Sequence, residues 1–249
     1  MGFFGKIFGK DERIDPIDLG EILVDMHSHL IPGIDDGSKS MEESIELIKA
    51  LYNLGYKKLI TTPHIQTDRY KNNRDIILSG LDSLRNEVEK EKIPIELDAA
   101  AEYLIDDGFT DKMSKGGLLT FGKNYLLVEL SYFSEPFNLK NTFFELQTDG
   151  YNVVLAHPER YTYWHNRIEI YEELVTRGIF LQLNINSLTG WYSKESKEIA
   201  EKLIDRKLIR FLGTDTHNQQ YLQELQKSTS MPTLLKALKT NNIINKKLL

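Results

Sequence analysis

Five of the six histidines in the chain fall where short apolar segments end. His27 and His29 frame Ser28 at the end of the first segment, and His64, His157 and His217 lie at or just after the ends of later ones. In extended backbone, residues two apart point to the same side, so His27 and His29 can bind one cation. These positions predict a metal site built from imidazoles.

Three acidic residues occupy equivalent places along the chain. The steps are 37 residues from His27 to His64, 38 to Glu102, 27 to Glu129, 28 to His157 and 58 to Asp215. The last step is twice 29 and passes over a sixth segment that ends in Asn184 and Asn186 instead. One strand–helix unit separates each group from the next, so all of them are expected to converge at one end of a barrel.

The residue types narrow the chemistry. Imidazoles with carboxylates and no sulfur suit zinc, manganese or iron, and several carboxylates favour more than one ion. Such a cluster lowers the pKa of bound water towards ~7 and can clamp the oxygens of a phosphoryl group. The pattern therefore predicts a polynuclear hydrolytic site. His165, beside Trp164 in a polar stretch, is interpreted as structural.

Seven short segments rich in Val, Ile and Leu alternate with amphipathic helical segments. The predicted strands span residues 21–27, 58–63, 95–102, 125–130, 152–157, 179–185 and 208–215. The predicted helices span residues 41–54, 72–92, 139–150, 167–177, 193–206, 220–227 and 233–239. This alternation predicts a single α/β domain, a (β/α)7 TIM-like barrel. An open doubly wound sheet is the alternative, but no G-x-G-x-x-G or Walker loop follows a strand.

Composition excludes several classes of protein. The 249 residues include no cysteine, which rules out thiolate phosphatases, iron–sulfur proteins and disulfide scaffolds. The formal net charge of −6 argues against a dedicated nucleic-acid binder, which usually has a concentrated basic face. No nucleic-acid partner is therefore expected.

The first residues differ from the rest of the chain. Residues 1–10 are apolar and basic, but they lack the continuous apolar run of a secretory signal. They are predicted either to contact a membrane interface or to form a frayed tail or a segment docked on the body or on a neighbouring subunit. We accordingly divide the chain into an extension, residues 1–20, and a barrel, residues 21–249. No segment resembles a transmembrane helix, and the expected location is the cytoplasm, near the inner face of the membrane.

Together the motifs at the strand ends resemble those of a known superfamily. They are Asp25-Met26-His27-Ser28-His29, Asp35-Asp36-Gly37-Ser38, Thr62-Pro63-His64, Ala101-Glu102, Val128-Glu129-Leu130, His157-Pro158-Glu159-Arg160 and Asp215-Thr216-His217-Asn218. They resemble the PHP (polymerase and histidinol phosphatase) superfamily. Within it they are most similar to the bacterial manganese-dependent protein-tyrosine phosphatases of capsular and exopolysaccharide systems. The likeness extends over residues 24–218.

This resemblance implies a distorted seven-stranded barrel with a trinuclear metal centre. The implied ligands are His27, His29, Asp36, His64, Glu102, Glu129, His157, Asp215 and His217. Manganese is the expected metal, with up to three ions per site, and iron, zinc or cobalt are the alternatives. Spacing alone would make Asp36 a turn residue and Arg160 a surface residue. The resemblance makes Asp36 a ligand and Arg160 the group that binds the substrate phosphate.

The implied reaction is hydrolysis of phosphotyrosine by a metal-bridging hydroxide, with Asp215 or His217 assisting proton transfer. The implied partner is the tyrosine-rich tail of a membrane-associated bacterial tyrosine kinase, and a homo-oligomer remains open. The alternatives are another PHP phosphoesterase such as histidinol-phosphate phosphatase, or a non-catalytic scaffold. A metal-dependent amidohydrolase is disfavoured because Glu129 stands where that class usually has a lysine.

Two features at the expected rim are left open. Residues 65–70 depart from the basic or Asn-Gly-rich turn of many relatives, which leaves the peptide preference undecided. The aromatic residues near the site either line its rim or belong to the core or to an oligomer contact. They are Tyr161, Tyr163, Trp164, Trp191 and Tyr192.

Overall fold

Parallel strands alternate with helices along most of residues 13–249, the part of the chain that the computed structural model describes. The strands are β1 (Val24–Asp25), β2 (Lys58–Thr61), β3 (His64–Ile65), β4 (Glu96–Ala99), β5 (Glu102–Leu104), β6 (Tyr125–Glu129), β7 (Asn152–Ala156), β8 (Phe180–Asn184) and β9 (Ile209–Gly213). The helices are α1 (Met41–Asn53), α2 (Arg74–Lys90), α3 (Phe109–Lys115), α4 (Leu139–Thr148), α5 (Ile168–Thr176), α6 (Lys194–Asp205), α7 (Gln219–Ser228) and α8 (Pro232–Thr240). The predicted membrane contact of residues 1–10 lies outside the described residues.

The strands close into a barrel of seven units. Hydrogen bonding gives a sheet ordered β1-β2-β4 and another ordered β3-β5-β6-β7-β8-β9, all with parallel neighbours. A bridge between Ser28 and Thr216 then joins the segment after β1 to the segment after β9. The N–H of Asp215 donates to the carbonyl of His27 at 2.8 Å across the same seam. The predicted distorted barrel is therefore confirmed.

Two of the predicted strands meet a break in the ladder. The expected strand 58–63 covers β2 and ends before β3 begins, and the expected strand 95–102 covers β4 and reaches only the first residue of β5. Pro63 has no N–H to donate, so the ladder cannot run unbroken through it. The breaks lie side by side, which is why two sheets form one distorted barrel.

Side chains alternate between the inside of the barrel and the layer beneath the helices. On β6, Leu126 and Val128 pack in the layer shared with the helices, whereas Leu127 belongs to a separate inner cluster with Val154 and Phe211. The inward-facing positions nearer the strand ends are polar. Glu129 follows Leu127 on the inner face of β6, Asn184 follows Gln182 on that of β8, and all three polar side chains are buried. The period of two thus turns an apolar barrel interior into a polar mouth at the strand ends.

The helices form where their apolar stripes and caps predict. In α1 the N–H of Glu43 donates to Ser40 Oγ at 3.3 Å, and Ile45, Ile48 and Leu51 face the core. Helix α3, only seven residues long, was not predicted because its stripe is too short to show a helical period. Among the described residues, no helix has the length and apolar content needed to cross a bilayer.

Candidate metal centre

All nine predicted ligand residues meet at the mouth of the barrel. They form four overlapping groups whose candidate ligand atoms lie within 4.8 Å of one another. The groups are His29, Asp36, His64 and His217; His27, His29 and Asp215; His27, Glu102 and His157; and His64, Glu102 and Glu129. All of these residues are buried except Asp36, which comes from the loop after β1.

Four of these side chains outline a position for a single ion. Nε2 of His27 lies 3.2 Å from Glu102 Oε2 and 3.4 Å from Asp215 Oδ1, and Nε2 of His29 lies 3.5 Å from each oxygen. Ligands about 2.1 Å from a tetrahedral ion lie about 3.4 Å from one another. These four atoms therefore have the spacing of one coordination shell.

Glu102 also borders two neighbouring groups. Its Oε2 and Glu129 Oε1 are each 3.1 Å from His64 Nδ1, and its Oε1 is 2.9 Å from His157 Nε2. The other nitrogen of His64 faces Asp36 Oδ1 at 3.4 Å, and His217 Nε2 faces the same oxygen at 3.6 Å. Glu102 would thus be shared between neighbouring groups of donors, and Asp36 and His217 would contribute to the outermost group.

The hydrogen bonding of the candidate donor atoms indicates whether metal ions fit this cluster. His27 Nε2, His29 Nε2, His64 Nδ1 and Glu102 Oε2 are buried and have no hydrogen-bond partner. Unsatisfied buried polar atoms are costly, and a native structure leaves few of them. The cluster also gathers four carboxylates, a formal charge that buried cations would balance. The residues present therefore fit a metal centre.

In three of the histidines, the ring nitrogen that points away from the cluster lies within hydrogen-bond distance of a partner. His27 Nδ1 lies 2.8 Å from Gln182 Oε1, His29 Nδ1 lies 2.8 Å from Asp35 Oδ2, and His217 Nδ1 lies 2.8 Å from the Asp215 carbonyl oxygen. An acceptor at Nδ1 keeps the proton there and leaves the Nε2 lone pair directed at the cluster.

Sequence reasoning missed two of these partners, Gln182 and Asp35. Gln182 is a polar residue between two leucines of strand β8, which is a signal that could have been used. Asp35 precedes the predicted ligand Asp36, and nothing in the pattern distinguishes its role.

The electrostatics of the cluster favour ionised carboxylates. Burial would raise the pKa of Glu102, but the nearby His27 and His64 hold it well below its usual range. Burial would lower the pKa of His29, but the carboxylates of Asp35, Asp215 and Glu102 together outweigh this and raise it. At His157 burial dominates and lowers the pKa, which favours the neutral imidazole that a metal ion needs.

Two of the candidate ligands have an unusual backbone conformation. His157 has a φ of 32° and Asp215 a φ of 52°, in the left-handed region that side chains other than glycine rarely adopt. His157 directly follows β7, and Asp215 comes two residues after the end of β9. Such strain persists at sites that need a side chain aimed in a fixed direction.

Arg160 projects over the cluster from a 3₁₀ turn, Pro158–Arg160, that follows β7. Its guanidinium carbon lies 4.1 Å from the ring centre of Tyr192 and 4.6 Å from that of Tyr132. Burial opposes its charge, but Tyr132, Tyr192 and Asp215 outweigh this and raise the pKa of Arg160. The guanidinium is thus charged, held between two rings, and one wall of the pocket above the cluster.

The two carboxylate oxygens of Asp215 have different neighbours. Its Oδ2 accepts hydrogen bonds from Asn184 at 2.8 Å, Tyr192 at 3.1 Å and Arg160 at 3.3 Å, while Oδ1 faces the histidines. Burial would raise the pKa of Asp215, but His27 and His217 hold it well below its usual range. This arrangement suits a ligand, and protonation at Oδ2 would cost these bonds.

The aromatic residues left open by the sequence divide between core and site. Tyr161 and Trp164 are fully buried, whereas Tyr192 contacts Arg160 and Asp215. The pocket is lined by Asp36, His64, Gln66, Arg69, Tyr70, Glu129, Tyr132, His157, Arg160, Asp215, His217 and Tyr221. Tyr132 and Tyr221 were not predicted. His165 lies outside the ligand groups, and its Nε2 is 2.8 Å from the Glu159 carbonyl oxygen.

The chain is similar to a known family of proteins and to individual members of it. The profile of the family described as "Capsular polysaccharide synthesis, CpsB/CapC" matches residues 23–240. The tyrosine-protein phosphatase YwqE of Bacillus subtilis is 31% identical over 197 residues, covering 79% of this chain and 78% of YwqE. CapC of Staphylococcus aureus is 30% identical over 217 residues, covering 87% of this chain and 82% of CapC.

A solved structure is similar over nearly the whole chain. It comes from a description of YwqE from Bacillus subtilis and CpsB from Streptococcus pneumoniae as metal-dependent tyrosine phosphatases. The TM-score is 0.76 at 28% identity, and the match covers 89% of this chain and 96% of the other.

Proposed function

Because the chain belongs to the CpsB/CapC family of capsular polysaccharide synthesis, we propose that it is a metal-dependent protein-tyrosine phosphatase. The observation that carries the proposal is the position of Arg160, which shares one pocket with the ligands Glu129, His157 and His217. A phosphoryl group entering that pocket meets the guanidinium on one side and the ligand cluster on the other.

The pocket is small. Its volume is about 120 Å³, whereas sites that enclose a whole drug-sized ligand measure ~300–1,000 Å³. It therefore suits a single phosphorylated side chain that reaches in from a larger molecule. Tyr132 and Tyr221 on its walls offer faces against which a phenyl ring can pack.

The chain's own residues divide the work of hydrolysis. Arg160 would bind the phosphoryl oxygens, since its planar fork matches them and its charge offsets theirs. Tyr132 and Tyr192 hold the guanidinium in place, so it is oriented before substrate arrives. The phenolate leaves with a pKa near 10, so a strong general acid is dispensable, and Asp215 and His217 are the candidates to assist proton transfer.

The nine clustered side chains would hold the metal ions. When bound, the ions would supply water of lowered pKa and would polarise the phosphoryl oxygens. We propose manganese, with up to three ions, because the four carboxylates beside five imidazoles make a mixed oxygen and nitrogen donor set. Iron, zinc or cobalt would use the same residues.

The substrate and location are further parts of the proposal. We propose that the substrate is the tyrosine-rich tail of a membrane-associated tyrosine kinase of capsule synthesis, and that the protein works in the cytoplasm near that membrane. The apolar and basic residues 1–10 are compatible with peripheral membrane contact. The proposed phosphatase activity depends neither on the kinase tail as substrate nor on the location near the membrane.

The test uses the full chain, stripped of metal and then given manganese. We expect phosphate release from a phosphotyrosine peptide to return with manganese and to exceed release from a phosphoserine peptide of the same sequence. Histidinol phosphate serves as a third substrate. Activity on histidinol phosphate with none on phosphotyrosine would overturn the tyrosine specificity, and failure on all three with metal bound would overturn the enzyme assignment.

A further inference from the structure

The loop between β6 and α4, residues 131–138, carries two phenylalanines with unusually high exposure. The side chain of Phe133 is 96% exposed and that of Phe137 is 101% exposed. Single exposed apolar residues are ordinary on protein surfaces, but two in one short loop beside a binding pocket mark a contact surface. We call this loop the aromatic loop.

The aromatic loop begins inside the pocket. Tyr132 lines the pocket, and its ring stacks on His157 at 5.8 Å between centroids. The guanidinium of Arg160 lies over the same ring. Phe133 is the next residue in the chain. A molecule bound against Tyr132 and extending outward therefore meets the aromatic loop first.

A groove runs along the outer side of the same loop. It measures about 650 Å³ and lies between the aromatic loop, with Phe137, and the segment from β5 to α3. The charged residues that line it are all acidic, namely Asp106, Asp107 and Glu135. Asp106 accepts hydrogen bonds from Thr67, and Glu135 accepts one from Trp164 and lies 3.7 Å from the guanidinium of Arg167, so exposed Asp107 is the acidic group that a ligand would meet. The groove therefore offers apolar contact together with negative charge.

We propose that the aromatic loop and this groove bind the stretch of substrate polypeptide next to the phosphotyrosine. They would select a segment that carries a large apolar residue and a lysine or arginine close to the phosphotyrosine. The inference rests on the proposed function. Its physical basis is continuity, because the pocket holds little more than the phosphorylated side chain and the adjoining residues of the peptide must cross its rim.

The test compares two phosphotyrosine peptides and a small substrate. One peptide has leucine, phenylalanine and lysine around the phosphotyrosine, the other has serine and glycine there, and p-nitrophenyl phosphate has no flanking chain. The variant is Phe133→Ser with Phe137→Ser, and both sites are exposed enough that folding should be unaffected. Phe144→Ser on α4, 68% exposed and outside both cavities, is the matched control.

We expect the double variant to lose about tenfold in kcat/KM on the apolar peptide, mainly through KM. Its activity on the serine–glycine peptide and on p-nitrophenyl phosphate should stay within about twofold. Fluorescence polarisation of the apolar peptide, with phosphotyrosine replaced by a non-hydrolysable phosphonate, should show the same loss of affinity. Asp107→Asn should weaken that binding by about two- to fivefold at low salt only.

Other results would overturn the inference. An equal loss on p-nitrophenyl phosphate would mean that the loop shapes the pocket, and an unchanged apolar peptide would mean that the loop does not bind substrate. If the wild type self-associates and the double variant does not, with peptide kinetics unchanged, the surface is a contact between copies of this chain. Hydrolysis of p-nitrophenyl phosphate without hydrolysis of either peptide by the wild type would instead overturn the proposed function.

Discussion

Gln182 Oε1 lies 2.8 Å from Nδ1 of His27, and both side chains are completely buried. Gln182 is on β8, within the one strand–helix unit that supplies no candidate ligand. Its own Nε2 donates to Asn184 Oδ1 at 2.9 Å, and Asn184 in turn donates to Asp215. The strand without ligands therefore orients two candidate ligands, one that follows β1 and one that follows β9.

Replacing Gln182 should weaken metal binding without removing a ligand. In Gln182→Ala, His27 loses the acceptor that fixes its tautomer, and we expect metal affinity to fall by about 10–100-fold. Competition with a chelator would measure it. Gln147→Ala, which removes a surface contact to the Arg177 carbonyl, is the control and should bind metal normally. Equal affinities for the two variants would contradict this role.

The histidines of the cluster should differ sharply from the sixth histidine. We expect His27→Ala and His157→Ala to bind fewer metal ions per chain and to lose at least about a hundredfold in phosphotyrosine hydrolysis. His165→Gln should keep both properties, since His165 lies outside the candidate ligand groups and its ring bonds a backbone carbonyl. Metal analysis and phosphate release on the same preparations would decide. Full activity in His27→Ala would sink the metal-centre assignment.

Arg160 should affect substrate rather than metal. Lysine retains the charge but not the planar fork that binds two phosphoryl oxygens, so Arg160→Lys should lower kcat/KM by about a hundredfold. Its metal content should be unchanged, and inhibition by inorganic phosphate should weaken. Arg177→Lys, at a surface pair with Glu173, is the control. A fall in metal content would show instead that Arg160 supports Asp215.

Much of the barrel and of the candidate centre could be predicted from the sequence because strand ends are periodic. A residue such as His64 or Glu129 is placed by its distance from the neighbouring strand ends, so its convergence with the others follows from the fold. The membership of a capsular phosphatase family, inferred from the same motifs, is confirmed by the comparisons. The prediction that Asp36 is a ligand needed that resemblance, because Asp36 lies in a loop, where spacing along the chain does not indicate a residue's position.

The supporting contacts could not be predicted in the same way. Gln182 is 155 residues from His27, and Tyr132 and Tyr192 are brought to Arg160 by loops from different strands. Such contacts depend on side-chain directions that no local pattern encodes. The breaks in the second and third strands were missed for a related reason, because burial on both faces continues through them.

Removing the metal should destabilise the fold. Without ions the buried carboxylates and imidazoles retain unsatisfied atoms, and ions that bind only the folded chain add about 2.7 kcal/mol at a hundred times Kd. For a chain of this size that corresponds to a rise in Tm of about 5–10 °C. Differential scanning fluorimetry of stripped protein with manganese would measure it. His27→Ala should show a smaller rise, and an unchanged Tm in the wild type would contradict the prediction.

Glu159 should make stability depend on pH. Its Oε1 accepts from Ser187 Oγ and from the Asn184 N–H at 3.0 Å, which ties the turn bearing Arg160 to the end of β8, while its Oε2 is buried without a partner. Burial raises its pKa from 4.5 to about 7. Between those values the folded state holds a proton that the unfolded state has lost, so the contribution of Glu159 is full below pH 4.5 and declines as pH rises towards 7. The decline is on the order of 3 kcal/mol.

Glu159→Gln cannot ionise, so between pH 5 and 8 it should lose less stability in urea unfolding than the wild type, at matched metal content. Identical pH profiles for the two proteins would show that Glu159 stays ionised throughout.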